Sequence, residues 1–321
     1  MHLSVIICTH NPREDYLRRT LEALRQQTLP KDQWELLLID NASKEALAGR
    51  WNLSWHSFAR HIREEELGLT PARLRGIQES AGDLLVFVDD DNLLDEQFLE
   101  TALAIAGQMP NLGCFGAGVL EPEFEEAPSS ELAPFTEMLA LRVLEKAIWS
   151  NIPDDAWVPW GAGLVVTRRV AEAYRVAFLA SKSRCLLGRR GSELNSGEDD
   201  EFTWIACSQG MGKGIFPELK LVHLIDRRRV QHDYLIRIAE GHSYSRTLLD
   251  WGHGVRTLLP VDVPSFSDVL KALLTLRLSR FFDKGARWWH LKSCSVIERE
   301  FKYAHIAGVR RALKRLNNLE I

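Results

Sequence analysis

The chain lacks paired cysteines, long apolar runs and an excess of positive charge. Its five cysteines are widely spaced and contain no C-x-x-C pair, which argues against a disulfide framework or a zinc site. No window of about 18 uninterrupted apolar residues occurs, so a membrane-spanning helix is not expected. The net charge of −4 is unlike the basic character of most nucleic-acid-binding proteins and excludes nucleic acid as the main partner.

The N-terminal segment also lacks the marks of a targeting sequence. "MHLSVIICTH" has no charged n-region, and its apolar run is too short for a signal peptide. Together with the unpaired cysteines, this favours a reducing compartment, and we expect a cytoplasmic protein. Hydrophobic residues make up 45% of the chain and charged residues 26%, which is ordinary for a globular protein that buries a sizeable core.

Three short apolar runs in the first 90 residues predict buried β-strands. They cover residues 3–8, 34–40 and 84–88. A helix is predicted between the first two by the spacing of Tyr16, Leu17, Thr20, Leu21 and Leu24. Strands that alternate with helices and read as solid apolar runs imply a parallel sheet covered on both faces.

Polar side chains follow each of these three strands. They are Thr9, His10 and Asn11 after the first, Asp40 after the second, and Asp89, Asp90 and Asp91 after the third. Ligands of parallel α/β sheets bind outside the carboxyl ends of the strands, so these clusters are expected on one rim. The three adjacent carboxylates repel one another unless a cation neutralises them.

Asp89 and Asp91 are the best candidates to share that cation. Alternate side chains of an extended segment point the same way, and hard oxygen ligands suit Mg²⁺ or Mn²⁺. The alternative is a charged turn that follows a strand and binds no metal.

The sequence changes character at about residue 229. Glycine becomes rare, and the remaining segment is amphipathic, helix-forming and basic on its polar face. Its apolar runs "VLKALLTL" and "ARWWH" suit packing on the N-terminal domain or in a homodimer, which we favour, or contact with an anionic membrane at its inner face.

The ordered segments "VIICTHNP", "LLLIDNAS", "PARLRGIQESAGDLLVFVDDD", "WGAGLVVTRR" and "SGEDDEF" resemble the family 2 glycosyltransferases. The resemblance covers roughly residues 3–225. It implies a GT-A fold, with a Rossmann-like, mostly parallel sheet flanked by helices in a catalytic domain at 1–228 and a helical extension at 229–321. It also implies an inverting enzyme that transfers a sugar from a nucleotide-sugar donor to a hydroxyl group of a carbohydrate or lipid-linked acceptor. UDP is the nucleotide expected from the habit of the family, and the expected role is polysaccharide or glycoconjugate synthesis.

The resemblance assigns roles to individual residues. The residues that it implies for nucleotide binding are Thr9, His10, Asn11, Asp40, Arg73, Asp89 and Asp90. Metal ligands for Mn²⁺ or Mg²⁺ fall to Asp89, Asp91 and His223, and sugar contacts to Trp160, Gly161 and Ala162. Asp199, beside Glu198, becomes the general base, because an attacking alcohol must lose its proton.

Several of these residues have a structural alternative. Asp40 suits a turn, Ser196 and Asp199 have the spacing of a helix capping box, His223 suits a structural hydrogen bond, and Trp160 suits the core. Asp200 is predicted to be solvated. The run Arg227, Arg228 and Arg229 is also predicted to be solvated, and contact with a diphosphate or a phosphorylated acceptor is the alternative. Leu74 replaces the asparagine that usually follows the family's arginine, which weakens the assignment of Arg73.

Two other functions remain open from the sequence. A sugar nucleotidyltransferase shares this architecture, but it usually opens with a glycine-rich loop where this chain has "CTHNP". A non-catalytic nucleotide-sugar or carbohydrate-binding relative would not need the acidic pair at Glu198 and Asp199. The presence of both acidic sites favours the enzyme.

Overall fold

The computed structural model describes residues 2–153, 157–180, 194–255, 264, 266–274 and 278–318. Within them ten strands form one sheet. The strands are β1 (Leu3–Thr9), β2 (Trp34–Asn41), β3 (Ala59–Glu64), β4 (Leu84–Val88), β5 (Asn92–Leu94), β6 (Leu112–Phe124), β7 (Arg142–Val143), β8 (Ile148–Ser150), β9 (Leu164–Thr167) and β10 (Gly212–Ile225). All three predicted strands are present at nearly the predicted bounds.

Eight of the ten strands in the sheet follow the order β3-β2-β1-β4-β9-β6-β10-β5, while β7 pairs with β6 and β8 pairs with β10. Its first four strands are parallel, as expected. From β4 onward the sheet is mixed, because β9 runs antiparallel to both β4 and β6. Strands β6 and β10 are parallel again, and β5 is antiparallel to β10. The predicted α/β class is confirmed, with a parallel half and a mixed half.

Nine helices occur in the described part of the chain. They are α1 (Glu14–Arg25), α2 (Leu69–Glu79), α3 (Phe98–Gln108), α4 (Arg168–Ala180), α5 (Glu198–Ser208), α6 (His232–Gly252), α7 (Phe266–Leu274), α8 (Leu278–Ser293) and α9 (Val296–Asn317). Helix α1 buries the five residues whose spacing predicted it. As far as the described residues go, no helix is long and apolar enough to span a membrane.

Two apolar clusters cover the two faces of the sheet. Successive residues of β1 alternate between them: Val5 and Ile7 belong to one cluster, and Ile6 belongs to the other. Side chains of a strand point to opposite faces in turn, so a strand covered on both sides must be apolar at every position. This explains why the predicted strands read as solid apolar runs.

Helices α6 and α9 pack closely against each other. A Cβ atom at Gly308 of α9 would lie 2.2 Å from the carbonyl oxygen of Glu240 in α6, so only glycine permits this approach. Nearby, Phe301 of α9 stacks on Phe135 with ring centroids 3.7 Å apart. Phe135 belongs to a short 3₁₀ helix (Ala133–Leu139), and the three elements share one apolar cluster.

We expect Gly308→Ala to lower the free energy of unfolding by about 1–3 kcal/mol, because the added methyl must push α9 away from α6. Gly107→Ala is the matched control, since Gly107 is exposed in α3 with nothing within 4 Å of an added Cβ. This change should stabilise the protein by up to about 1 kcal/mol through helix propensity. Urea unfolding of both variants tests the prediction, and a shift of the same sign in both would contradict it.

Candidate functional site

A cleft of about 780 Å³ opens at the carboxyl ends of β1 and β4. It gathers the sequence-predicted site residues Thr9, His10, Arg73, Asp89, Asp90, Asp91, Trp160, Gly161, Ala162, Glu198, Asp199 and His223. Asn11 and Asp40 are not among the described residues that line it. One cavity therefore contains both acidic segments, which lie more than 100 positions apart in the sequence.

Strand pairing brings Asp91 beside His223. The turn after β4 is closed by the Asn92 amide, which donates to the Asp89 carbonyl (3.1 Å), and by the Asn92 side chain, which accepts from the Asp89 amide (3.2 Å). Asn92 opens β5 and lies opposite His223 of β10 in the antiparallel ladder. As a result, the Asp91 Oδ2 and His223 Nε2 atoms are 3.4 Å apart.

Arg229 completes this cluster. Its Nη1 atom lies 2.8 Å from Asp91 Oδ2 and 3.1 Å from His223 Nε2. The Arg229 side chain is only 14% exposed. The expectation that Arg227, Arg228 and Arg229 are all solvated is wrong for Arg229, because a short 3₁₀ helix (Arg227–Val230) directs its side chain into the cleft.

Asp90, the middle residue of the acidic turn, has a strongly perturbed carboxyl group. Its carboxylate accepts a hydrogen bond from the Thr9 hydroxyl, and its carbonyl accepts one from Thr20 (3.1 Å). Burial, followed by repulsion from Asp91, raises the pKa of Asp90 to about 7. The turn thus carries more negative charge than its surroundings neutralise, which is the property that a cation site requires.

The donor atoms at this turn fit a small divalent ion. Ligands of Mg²⁺ at right angles to each other lie roughly 3 Å apart, given bonds of about 2.1 Å, which is close to the separation of Asp91 Oδ2 and His223 Nε2. No group of three or more His, Cys, Asp or Glu residues within the described ranges forms a ready-made cage. Mg²⁺ is usually bound by one or two carboxylates, with waters and substrate phosphates filling the other positions.

The second acidic segment is tied to Arg73. Arg73 Nη1 donates to Asp199 Oδ1 (2.8 Å), and the Gly161 amide donates to Asp199 Oδ2 (2.7 Å). Glu198 accepts from the Thr70 hydroxyl (3.0 Å) and lies 4.0 Å from Arg73. A Cβ atom at position 161 would lie 2.5 Å from Arg73 Nη2, so the glycine makes room for this ion pair.

The capping-box alternative for Asp199 is wrong. The N-cap position of helix α5 is Gly197, which has no side chain to cap it. The Asp199 carboxylate accepts from Arg73 and from the Gly161 amide instead. Asp200 also departs from expectation. It is half-buried and lines the cleft, and burial, followed by the charge of Asp199, raises the pKa of Asp200 to about 6.

Asp40 lies at the carboxyl end of β2, and its side-chain oxygens are occupied. They accept from the Ser43 amide (3.1 Å), the Leu47 amide (3.1 Å) and Arg63 (2.8 Å). Burial opposes ionisation of Asp40, but hydrogen bonds from Ser43 and Arg63 outweigh it and hold the pKa below its usual range. This is the geometry of the turn-forming alternative.

Asn11 likewise organises this rim. Its backbone is left-handed (φ 49°), and its side chain accepts from the Lys44 amide (2.9 Å). His10 does reach the cleft, with Nδ1 2.7 Å from the Asn41 carbonyl oxygen.

Trp160 is half-buried and packs against the core. The Arg142 guanidinium lies over its ring, 3.5 Å from the centroid. One face of the indole is therefore covered, and a sugar can stack only on the remaining exposed surface.

The comparison with protein families identifies the family of the chain. The sequence model of "Glycosyl transferase family 2" matches residues 4–174, which is more than half of the chain. The chain belongs to this family.

Two curated relatives are similar over a limited span. Glycosyltransferase AglE of Haloferax volcanii is 32% identical over 105 residues, covering 32% of this chain and 34% of that protein. Putative glycosyltransferase EpsH of Bacillus subtilis is 29% identical over 113 residues, covering 34% of this chain and 32% of that protein. The match thus spans about a third of the length of each relative.

A solved structure extends the similarity to nearly the whole fold. The mannosyltransferase PcManGT from Pyrobaculum calidifontis, in complex with GDP-Man and Mn²⁺, superimposes with a TM-score of 0.59 at 16% identity. The alignment covers 97% of this chain and 87% of that structure. This likeness shows the GT-A fold, including the C-terminal helices.

Sequence patterns missed part of the cleft wall of this family 2 chain. The missed residues include Glu137, Met138, Leu139, Ala140 and Leu141 after β6, and His242, Ser245, Arg246 and Leu249 of α6. The first group begins at the end of residues 121–137, an acidic, proline-containing stretch whose sequence is typical of a solvated loop. The second group lies beyond residue 228. Neither group carries a motif that signals a site.

The perturbed Asp200 predicts a specific pH dependence of stability. The folded-state pKa of Asp200, about 6, lies above the usual value of 3.8, so wild-type protein loses stability as the pH rises from about 4 through 6. Asp200→Asn removes the charged form. We expect the free energy of unfolding of this variant to equal that of wild type near pH 4 and to exceed it near pH 8 by on the order of 1–2 kcal/mol. This range follows because one pKa unit corresponds to about 1.4 kcal/mol and a half-buried group keeps part of its hydration.

Urea unfolding at both pH values measures this difference. Asp32→Asn, at an exposed residue, is the matched control and should change stability equally at both. A wild-type protein that matches Asp200→Asn at pH 8 would contradict the prediction.

Proposed function

We propose that this family 2 chain is a metal-dependent, inverting glycosyltransferase that uses a nucleotide-sugar donor. One observation carries the proposal: a single cleft holds both an acidic turn with an adjacent histidine and a second acidic pair on a helix start. Transfer from a nucleotide sugar has two separate needs, which are neutralisation of a leaving diphosphate and removal of a proton from the acceptor.

The acidic turn serves the donor. Asp91 and His223, with Asp89 beside them, hold Mn²⁺ or Mg²⁺, and such an ion supplies Lewis-acid stabilisation of the leaving diphosphate. Thr9, His10 and Asp90 contact the nucleotide, which we propose to be UDP. Asn11 and Asp40 act indirectly, because they fix the two loops that form this rim.

Asp199 serves the acceptor as general base. Arg73 and the Gly161 amide hold its carboxylate in one orientation. A carboxylate has about four lone-pair sites, so capacity remains for an acceptor hydroxyl. The hydroxyl of a carbohydrate or lipid-linked acceptor then attacks the anomeric carbon from the face opposite the diphosphate, which inverts the configuration. Trp160, Gly161 and Ala162 border the sugar.

We propose that residues 1–228 form the catalytic domain, to which the helices beyond contribute cleft residues. The enzyme acts in the cytoplasm in polysaccharide or glycoconjugate synthesis.

Two substitutions separate donor binding from chemistry. Asp91→Asn replaces a charged ligand with a neutral amide, so Mn²⁺-dependent binding of UDP should be lost. Asp199→Asn removes the proton acceptor, yet the amide oxygen still accepts from Arg73. This variant should bind UDP and Mn²⁺ like wild type and lose transfer by about 10²- to 10⁴-fold.

Calorimetry with UDP, and with GDP alongside, measures binding with Mn²⁺ and with chelator. A screen of nucleotide sugars for release of the nucleotide diphosphate measures turnover. Equal nucleotide affinity with and without metal would contradict the metal assignment. Turnover by Asp199→Asn at a rate near that of wild type would show that another residue is the general base.

We further propose that α7 and α8 rest on an anionic membrane. The sequence 266–293, from the start of α7 to the end of α8, contains six Lys and Arg and two Asp and Glu, a net charge of +4, whereas the whole chain has −4. The two helices also expose large apolar side chains, namely Phe266 (60%), Phe282 (68%) and Trp289 (70%). Exposed aromatic residues combined with excess positive charge suit the interface of anionic lipids better than a protein partner.

Sedimentation with phosphatidylglycerol vesicles tests this surface. Wild type should bind in low salt and be released by high salt, and the double variant Phe282→Ser/Trp289→Ser should bind at least about tenfold more weakly. Val176→Ser, at an exposed apolar residue of α4, is the control and should bind like wild type. Absence of wild-type binding, with a dimer in solution that the double variant disrupts, would favour the homodimer instead.

A further inference from the structure

The position between Asp91 and His223 already contains a cation, the Arg229 guanidinium. We propose that Arg229 and the divalent ion compete for this position, so that either is bound but never both. The inference rests on the proposed function, because it takes Asp91 and His223 as metal ligands. It adds that the chain carries its own counter-charge, which the metal must displace.

The lone pair of His223 makes the two states exclusive. Arginine has only donors, so the contact of 3.1 Å between Arg229 Nη1 and His223 Nε2 requires Nε2 to be the acceptor. A neutral imidazole has one acceptor nitrogen, with one lone pair. A metal ion on Nε2 needs that same lone pair, and therefore Arg229 must leave before the ion binds.

The Arg229 contact also selects the tautomer that a metal needs. With Nε2 as acceptor, the ring proton of neutral His223 resides on Nδ1, which is buried without a hydrogen-bond partner among the described residues. A metal ion bound to Nε2 also requires the ring proton to be on Nδ1. Exchange of Arg229 for the ion thus needs a movement of one side chain and no proton transfer on the ring.

The backbone around Arg229 is fixed, so the exchange is confined to its side chain. Asp226 accepts from the Arg228 amide (2.7 Å) and from Arg13 (2.8 Å), and the Arg229 amide donates to the Asp226 carbonyl (2.8 Å). The neighbouring Arg228 is 79% exposed and pairs with Asp226. Arg228 therefore provides a matched control for a loss of positive charge that does not touch Asp91.

Removal of Arg229 should strengthen metal binding. We expect Arg229→Gln to bind Mn²⁺ at least about tenfold more tightly than wild type, a gain of roughly 1.4 kcal/mol, because the ion no longer displaces a paired charge. Arg229→Lys keeps a cation within reach and should stay close to wild type. Arg228→Gln should also match wild type. The free Mn²⁺ signal in electron paramagnetic resonance measures all four proteins without nucleotide.

Thermal unfolding supplies a second measurement. In chelator, Arg229→Gln should unfold at a lower temperature than wild type, since the acidic turn has lost its counter-charge. Saturating Mn²⁺ should raise its unfolding temperature by more than it raises that of wild type. An equal or smaller rise, together with unchanged or weaker Mn²⁺ binding, would overturn the inference.

Asp91→Asn distinguishes failure of the inference from failure of the proposed metal site. If Asp91→Asn loses Mn²⁺ binding and Arg229→Gln does not tighten it, the metal site stands and only the competition is wrong. If Asp91→Asn binds Mn²⁺ like wild type, the metal lies elsewhere, and both the proposed site and the inference fall.

Discussion

The mutual repulsion of carboxylates inside one cleft is the constraint on which the site depends. Two acidic segments line this cavity, and each pairs with one arginine that is buried or largely buried. Arg229 pairs with Asp91, and Arg73 pairs with Asp199. Removing either partner would leave a buried charge unpaired, which is far more costly than loss of a surface ion pair. The two arginines therefore support the folded cleft as well as its chemistry.

The sequence was sufficient to predict the rim of the sheet. Apolar runs identified β1, β2 and β4, and parallel strands must present their carboxyl ends on one side, so the polar residues after them were expected together. The contact between Asp91 and His223 was not predictable in this way. It depends on the register of β5 against β10, where residues 92 and 223 are paired, and pairing at that separation leaves no local pattern in the sequence.

Residue type alone also failed to separate neighbours with different surroundings. Three consecutive arginines look alike in sequence, yet Arg228 is exposed and Arg229 is buried, because the 3₁₀ helix that begins after Asp226 turns their side chains in different directions. Likewise, the acidic sequence at the start of α5 does not distinguish Asp199 from Asp200. Arg73 and the Gly161 amide hold the Asp199 carboxylate, whereas Asp200 lies in the cleft without such partners in the described structure. Such differences arise from hydrogen bonds made by distant segments.

The change in composition near residue 229 marks a change in secondary structure rather than an edge of the cleft. Arg229 and four α6 residues, His242, Ser245, Arg246 and Leu249, line the same cavity as the strand ends. Helix α6 also packs tightly on α9 through Gly308. One helix therefore contacts both the cleft and the basic C-terminal segment. Because close-packed interiors transmit strain, a displacement of α9 would be felt through α6 at the wall of the cleft.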